Sequence, residues 1–380
     1  MQQSDRPEKL NICLLAPWYG GSHKRWADEL KAYSVHQIEI YSLPAIHWKW
    51  RMHGAAITLA EKLLSSGIAY DLIIAEDMMD VAVFVAIVRN HGVHIPIITY
   101  FHENQISYPL SPRDTDRLAG RELRYGYINY TSALVSDRVY FNSNYHRSSF
   151  IDSLPGFLKQ YPDFQNTESV ETIAGKSETL PLGLELGALD ANKPEDLAKR
   201  KDCPLLLWNH RREHDKNSEE FFDLMMALKE RKVPFKLALL GKQSEVTRLL
   251  FESFCDQLGD IVVHNGEVKD EAEYAAWLWR ADILPVTSNQ DFFGGSVIEA
   301  VYCGCHPLLP DRLSYPEHFS GHPVYYKDSQ EAIEKLDALI QTGFWQEPSS
   351  LSTIAARYKW ENLAPLYDQA FAVACEKTKT

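Results

Sequence analysis

The sequence predicts an α/β protein made of two doubly wound parallel-sheet domains. Three observations carry this expectation. At 380 residues the chain is long for one core, because about 150 residues per domain is the usual scale. In the first half, short β-rich runs alternate with longer amphipathic ones. The second half repeats that rhythm, and strand–helix–strand alternation is the pattern of a parallel sheet covered by helices.

The first-half strands are expected at 10–17, 36–44, 70–77, 95–103 and 136–143. Between them, "KRWADELKAY", "AAITLAEKLLSSG" and "VAVFVAIVRNHG" space their apolar residues as helices do. Second-half strands are expected at 203–210, 235–241, 260–266, 281–288 and 303–310, with "NSEEFFDLMMALKERK" and "DEAEYAAWLWR" helical. The stretch from about 152 to 200 is rich in Pro, Gly, Asp and Glu. The expected division is a first domain over 1–170, a linker over 171–200, a second domain over 201–355 and a closing helix over 356–380. Paired domains of this kind bind ligands in a cleft at the C-terminal ends of their strands.

Composition narrows the functional classes. Hydrophobic residues make up 45% and charged residues 24%, as in ordinary soluble proteins. No apolar run reaches the roughly 20 residues needed to span a bilayer, and the polar start is not that of a signal peptide. Six cysteines without a C-x-x-C pair fit free thiols in a reducing compartment, so a cytoplasmic location and no membrane partner are expected. A net charge of −13 opposes nucleic-acid binding by bulk charge and leaves only local basic patches for it.

The motifs fall at strand ends. In "APWYGGSHKRW", Gly20 and Gly21 form a turn from strand to helix, with Ser22 and His23 opening the helix. That turn suits either anion binding at free amides or a plain capped turn. In "YFHENQISYP", His102, Glu103, Asn104 and Gln105 follow an apolar strand, which favours sugar contact or acid–base work over a solvated loop. "NQDFFGGSVIEAVYCGCHP" places Asp291 and Glu299 with seven residues between them, Phe292, Phe293, Gly294 and Gly295 among these where a helix should start. Two such carboxylates can meet two parts of one nucleotide sugar; the plainer reading is a helix cap and an unrelated Glu.

Two metal-like patterns are set aside. His210, Glu213 and His214 in "WNHRREHDKN" spell H-x-x-E-H, but a zinc site of that kind needs one continuous helix. Here a strand precedes the motif and a helix starts at Asn217 or Ser218, so Arg211 and Lys216 become the functional pair. Cys303, Cys305 and His306 have no second ligand pair at zinc spacing, and "DTD" at 114–116 reads as a polar helix start. No metal ligands and no cofactor are expected.

With these residues in view, the chain resembles the retaining glycosyltransferases of GT-B fold, two facing Rossmann-like domains with a cleft between them. The glycine turn at 20–21, His102, Arg211 with Lys216, and the acid pair ending at Glu299 carry the likeness. Asp291 stands where Glu is more usual in that group and keeps the carboxylate. More narrowly, "APWYGGSHKRW", "SLPAIHWKWRMHGAA", "YFHENQISYP", "FNSNYHRSSF", "WNHRREHDKN" and "DFFGGSVIEAVYCGCHPLLP" resemble the tRNA-queuosine mannosyltransferase family.

The resemblance implies transfer of mannose from GDP-mannose to queuosine in the anticodon of tRNA(Asp), with retention. By position, His102, Arg211, Lys216 and Asp291 would form the catalytic set. Arg211 and Lys216 would neutralise the diphosphate without a metal. Asp291 with the amides near Phe292, Phe293, Gly294 and Gly295 would hold the sugar, and Glu299 the ribose. Gly241, Lys242, Asn265, Gly266 and Val268 would frame the base, with Gly20 and Gly21 also on the donor. Acceptor contacts would come from Ser22, His23, Glu103, Asn104, Gln105 and Asn144.

The sequence offers two basic stretches for an RNA acceptor. Trp48, Lys49, Trp50 and Arg51 interleave aromatics with cations, which suits stacking on unpaired bases. Arg117, Arg121 and Arg124 recur at helical spacing. Both also fit long cations lying over core aromatics. Two other functions stay open at this point: a GT-B transferase using another nucleotide sugar on a lipid or glycan, and a non-catalytic RNA-binding module.

Overall fold

The computed structural model describes residues 9–109, 114, 116, 123–197, 202–241 and 245–376. Arg117, Arg121 and Lys242 lie outside the described residues. The chain divides into two compact units, 1–184 with 360–380, and 185–359.

The sheet of the first unit contains β1 (Asn11–Tyr19), β2 (Gln37–Pro44), β3 (Leu72–Glu76), β4 (Ile97–Phe101), β5 (Arg138–Phe141) and β6 (Ser177–Thr179). Its order is β2-β1-β3-β4-β5-β6, and every pairing is parallel. β1 is an interior strand, buried along "ICLLA", and Ile12 pairs with Ile38 on one side and Leu72 on the other. Leu15 and Cys13 pack with Leu59, Phe84 and Val88 of the covering helices, while Phe101 and Phe141 stack at 5.0 Å beside Phe150. Local signals set the helix starts: the Asp80 carboxylate accepts from Val83 N at 3.0 Å, and the Ser143 hydroxyl accepts from His146 N at 2.9 Å.

The second unit has β7 (Leu205–Trp208), β8 (Lys236–Leu239), β9 (Val262–Asn265), β10 (Ile283–Pro285), β11 (His306–Pro310) and β12 (Tyr325–Tyr326). Its order, β12-β11-β10-β7-β8-β9, is the doubly wound order of dinucleotide-binding folds. Its core joins Trp208, Phe221, Phe222, Phe251 and Phe254 with Leu336 and Trp345.

Several elements depart from the sequence reading, and three of them bear on the first unit. β6 lies inside the stretch expected to be linker, and three residues are too few to show a period. The helix expected from Ala55 starts at Trp48, so the Trp48–Arg51 stretch is its first turn. The helix Trp360–Glu376 belongs with the first unit rather than forming a tail behind the second. Tyr367 explains why: its hydroxyl accepts from Trp26 Nε1 at 3.2 Å and donates to Tyr100 Oη at 3.0 Å. Ser34 also donates to Asp368 at 2.6 Å.

Candidate functional site

Each sheet has one point where strand order reverses, and ligands of doubly wound folds bind outside the strand ends there. In the second unit that point lies between β7 and β10. The loop after β7 carries Lys216, and the loop after β10 carries Asp291. Lys216 is 8% exposed, and its ammonium donates to Gln290 O at 2.9 Å and Asp291 Oδ2 at 3.2 Å. It also pairs with Asp215 Oδ2 at 3.3 Å. Burial alone would lower the Lys216 pKa, but Asp291 and Asp215 outweigh it and leave it raised. Asp291 is the mirror case: burial pushes its carboxyl up, while Lys216 and His210 pull it lower than usual. Tyr315 Oη donates to Asp291 at 3.1 Å and fixes its rotamer.

The sequence reading paired Arg211 and Lys216 as equivalent cations, and the structure separates them. Arg211 has an exposed side chain beside Glu213 at 3.4 Å, whereas Lys216 is buried between two acids. His210 and His214 do not share a helix face, since a single 3-10 turn begins only at His214 and the next helix starts at Ser218. His210 is buried, its Nδ1 3.1 Å from Ser296 Oγ, and burial lowers its pKa to about 4.

Glu299 sits in the helix Gly295–Tyr302 that Gly294 introduces, and its Oε2 accepts from Tyr274 Oη at 2.8 Å. Phe292 and Phe293 are buried, and Phe293 packs edge-on against His318 and Tyr358. Asn265 and Gly266 close β9, and Val268 lies half-buried just beyond. Gly241 has φ +102, and a Cβ there would lie 2.5 Å from His210 O. The loop after β8 therefore rests directly on the loop that carries Arg211 and Lys216.

In the first unit the reversal lies between β1 and β3. His23, in the first turn of the helix Gly21–Tyr33, is 5% exposed, with Nδ1 3.0 Å from Glu76 Oε2 at the end of β3. His102, just past β4, has its ring 4.3 Å from that of His23 and edge-on to Trp26 and Tyr100. Its backbone N–H donates to Asp77 Oδ1 at 2.8 Å. Burial works against the His23 cation, but Glu76 outweighs it and raises the pKa to about 9. Burial and neighbouring His23 hold His102 neutral, and burial lifts Asp77 to about 7. A His pKa raised on folding stabilises fully below its ordinary 6.5, and that contribution is lost as pH climbs through about 9. With the chain free of metal, melting temperature should therefore decline between pH 6.5 and 9, and this part of the decline should vanish in Glu76→Gln.

The remaining first-unit residues divide. Gly20 packs against its own chain, since a Cβ there would lie 2.3 Å from Ala45 Cβ. Ser22 is exposed beside it. Asn104 is fully buried and builds a turn, its Oδ1 accepting from Ile106 N at 3.0 Å and Ser107 N at 2.8 Å. Gln105 donates to Glu103 at 3.0 Å, and Asn144 accepts from Thr179 at 2.9 Å. Trp48 packs on Tyr125, and Lys49 is clamped by Asp114 at 2.8 Å and Asp116 at 2.6 Å. The "DTD" acids thus hold a lysine that the sequence reading assigned to RNA. Trp50, 62% exposed, and Arg124 face solvent, while Arg51 donates to Pro44 O at 3.2 Å.

Sequence reasoning missed several participants, Tyr274 beside Glu299 and Asp215 beside Lys216 among them. Glu76 and Asp77 end a wholly apolar strand, an ionisable pair at a strand end that could have drawn notice. Tyr315 carries no local pattern. Arg212 is 2% exposed, donates to Leu239 O at 3.1 Å and Asn265 Oδ1 at 2.8 Å, and lies over the Phe251 ring. It looks in sequence like a duplicate of Arg211.

Two doubly wound parallel-sheet units form the GT-B glycosyltransferase fold, and solved glycosyltransferases share it. The description "Glycosyl transferases group 1" matches residues 190–355, and "tRNA-queuosine alpha-mannosyltransferase N-terminal" matches residues 11–184. A Drosophila melanogaster protein named tRNA-queuosine alpha-mannosyltransferase is 34% identical over 83% of this chain and 84% of its own. The chain belongs to the tRNA-queuosine alpha-mannosyltransferase family and is a hexosyltransferase. Solved structures share its fold. Sucrose-phosphate synthase from Thermosynechococcus elongatus has TM-score 0.68 at 16% identity, covering 96% of this chain and 100% of that one. Anabaena HepE in complex with UDP and glucose has TM-score 0.61 at 15% identity, covering 97% and 98%.

Proposed function

We propose that this enzyme moves mannose from GDP-mannose to queuosine in the anticodon of tRNA(Asp), with retention at the anomeric carbon. The observation that carries this reading is the 34% identity, sustained across most of both chains, to a protein of that named activity. The second unit holds the donor. Arg211 meets the diphosphate from the exposed side of its loop, and Lys216 supplies a second positive charge from beneath. Because Lys216 also holds Asp291, phosphate binding and sugar binding are coupled through one ammonium. Glu299, whose Oε2 accepts from Tyr274 Oη, takes the ribose hydroxyls, since a carboxylate has several acceptor positions on its two oxygens. No metal is required at the diphosphate, where two cations do its work.

Removing the Tyr274 hydroxyl should raise the donor KM with kcat nearly unchanged, because Glu299 would lose its orientation but not its charge. Steady-state kinetics of Tyr274→Phe against donor concentration checks this. Near the acceptor, Trp50 offers an exposed ring beside Arg51. Base stacking on such a ring is worth about 1–3 kcal/mol, so Trp50→Ala should weaken tRNA binding roughly 5- to 150-fold while donor binding stays at the parental value. Filter binding of tRNA and calorimetry with GDP-mannose separate the two.

The direct test incubates the protein with GDP-mannose and queuosine-containing tRNA and resolves the tRNA on acid–urea gels. A slower-migrating tRNA that forms only with both substrates supports the proposal. Turnover with a lipid or glycan acceptor and none with queuosine tRNA would replace it with another transferase of the same fold.

A further inference from the structure

We infer that the first unit carries a divalent metal site, best matched to zinc, formed by His23, Glu76 and His102. Each residue offers one ligand atom, and these atoms lie within 4.8 Å of one another. The fold fixes the three independently: His23 in the turn after β1, Glu76 at the last position of β3, and His102 directly after β4. These strands are neighbours in the sheet, so their C-terminal ends bring the three side chains to one place.

A second observation points to a ligand. Glu76 is fully buried, and among the described residues its Oε1 has no hydrogen-bond partner; His102 Nε2 is likewise buried without one among them. Each such atom keeps its full desolvation cost when left unsatisfied. Carboxylate oxygen offers only lone pairs, so another acceptor cannot satisfy it, whereas a cation can satisfy both groups at once. Nearby Asp77 pins the His102 backbone through its N–H and adds negative charge to the same pocket.

The donor set selects the metal. Two imidazole nitrogens and one carboxylate oxygen form a three-ligand zinc site with an open fourth position. Magnesium and calcium prefer oxygen cages and fit poorly. Zinc bonds of about 2.0–2.2 Å place tetrahedral ligand atoms roughly 3.3–3.5 Å apart, so the donors need close by no more than about 1.5 Å. His23 and Glu76 already stand at 3.0 Å. The open position would take a water or a hydroxyl oxygen of an entering sugar or diol. The inference does not depend on which donor or acceptor the enzyme uses.

The full chain, stripped with a chelator and dialysed, is titrated with zinc by isothermal calorimetry and, in parallel, with cobalt by visible absorption. One equivalent should bind, with the absorption intensity of a four-coordinate cobalt site. Glu76→Gln and His102→Gln should each weaken that equivalent by at least about tenfold. His91→Ala, on an exposed helix end, should leave it unchanged. Should either ligand variant fold poorly, the parent alone decides: zinc, but not magnesium, should raise its melting temperature. Absence of a bound equivalent, or an equivalent kept at parental affinity in a folded Glu76→Gln variant, would overturn the site.

Discussion

Lys216→Ala should abolish most sugar transfer and also loosen the second unit. Two effects combine. A charge-assisted contact to the leaving phosphate is worth about 1.5–3 kcal/mol, so transfer should fall roughly 10- to 150-fold from that contact alone. The alanine also leaves Asp215 and Asp291 buried without their ammonium, and breaking a buried pair from one side costs about 3–5 kcal/mol. The two effects can be separated. In Lys216→Met combined with Asp291→Asn, the uncompensated charge at 291 is gone while the one at Asp215 stays, so stability should return in part. Transfer should not return, because the cation and the carboxylate proposed to hold the sugar are both missing. Denaturant unfolding and steady-state rates, measured on the single and double variants, give the comparison. Parental transfer by Lys216→Ala would remove Lys216 from the chemistry.

Gly241→Ala should have the next largest effect, although no ligand need touch this position. Its φ of +102 strains any side-chain-bearing residue, and the new Cβ would sit 2.5 Å from His210 O. Backbone strain and overpacking together should cost at least about 2 kcal/mol. For a unit of this size that corresponds to a fall in melting temperature of roughly 4–8 °C. The carbonyl that must move belongs to His210, immediately before Arg211, so the exposed cation moves with it. Donor KM should therefore rise even at temperatures where the variant is folded. Differential scanning calorimetry and donor titration check the two halves. A variant with parental melting and raised KM would instead make Gly241 a direct ligand contact.

Much of this was legible in the residues. β1, β3 and β4 are apolar on both faces, so "ICLLA", "LIIAE" and "IITYF" identify buried parallel strands without ambiguity. The loop reading of "WNHRREHDKN" also came through, because a four-residue strand followed by a helix start at Ser218 leaves no continuous helix for two histidines. What the sequence hid was the third dimension. Lys216 and Asp291 are 75 residues apart, and only the parallel pairing of β7 with β10 makes one the counter-ion of the other. The same holds for His23 and Glu76, joined by the pairing of β1 with β3. Lys49 shows the opposite failure. A lysine between two tryptophans suggests RNA contact, but Asp114 and Asp116 arrive from far along the chain and occupy it.

Addition of mannose to queuosine in tRNA, the activity proposed for this chain, leaves a mark in the tRNA itself. Mass spectrometry of tRNA nucleosides from cells with and without the gene tests it most directly. Loss of the gene should remove the nucleoside heavier than queuosine by one hexose and leave unmodified queuosine in its place, and the purified enzyme with GDP-mannose should restore it. An unchanged hexosylated queuosine in the deleted cells would contradict the claim.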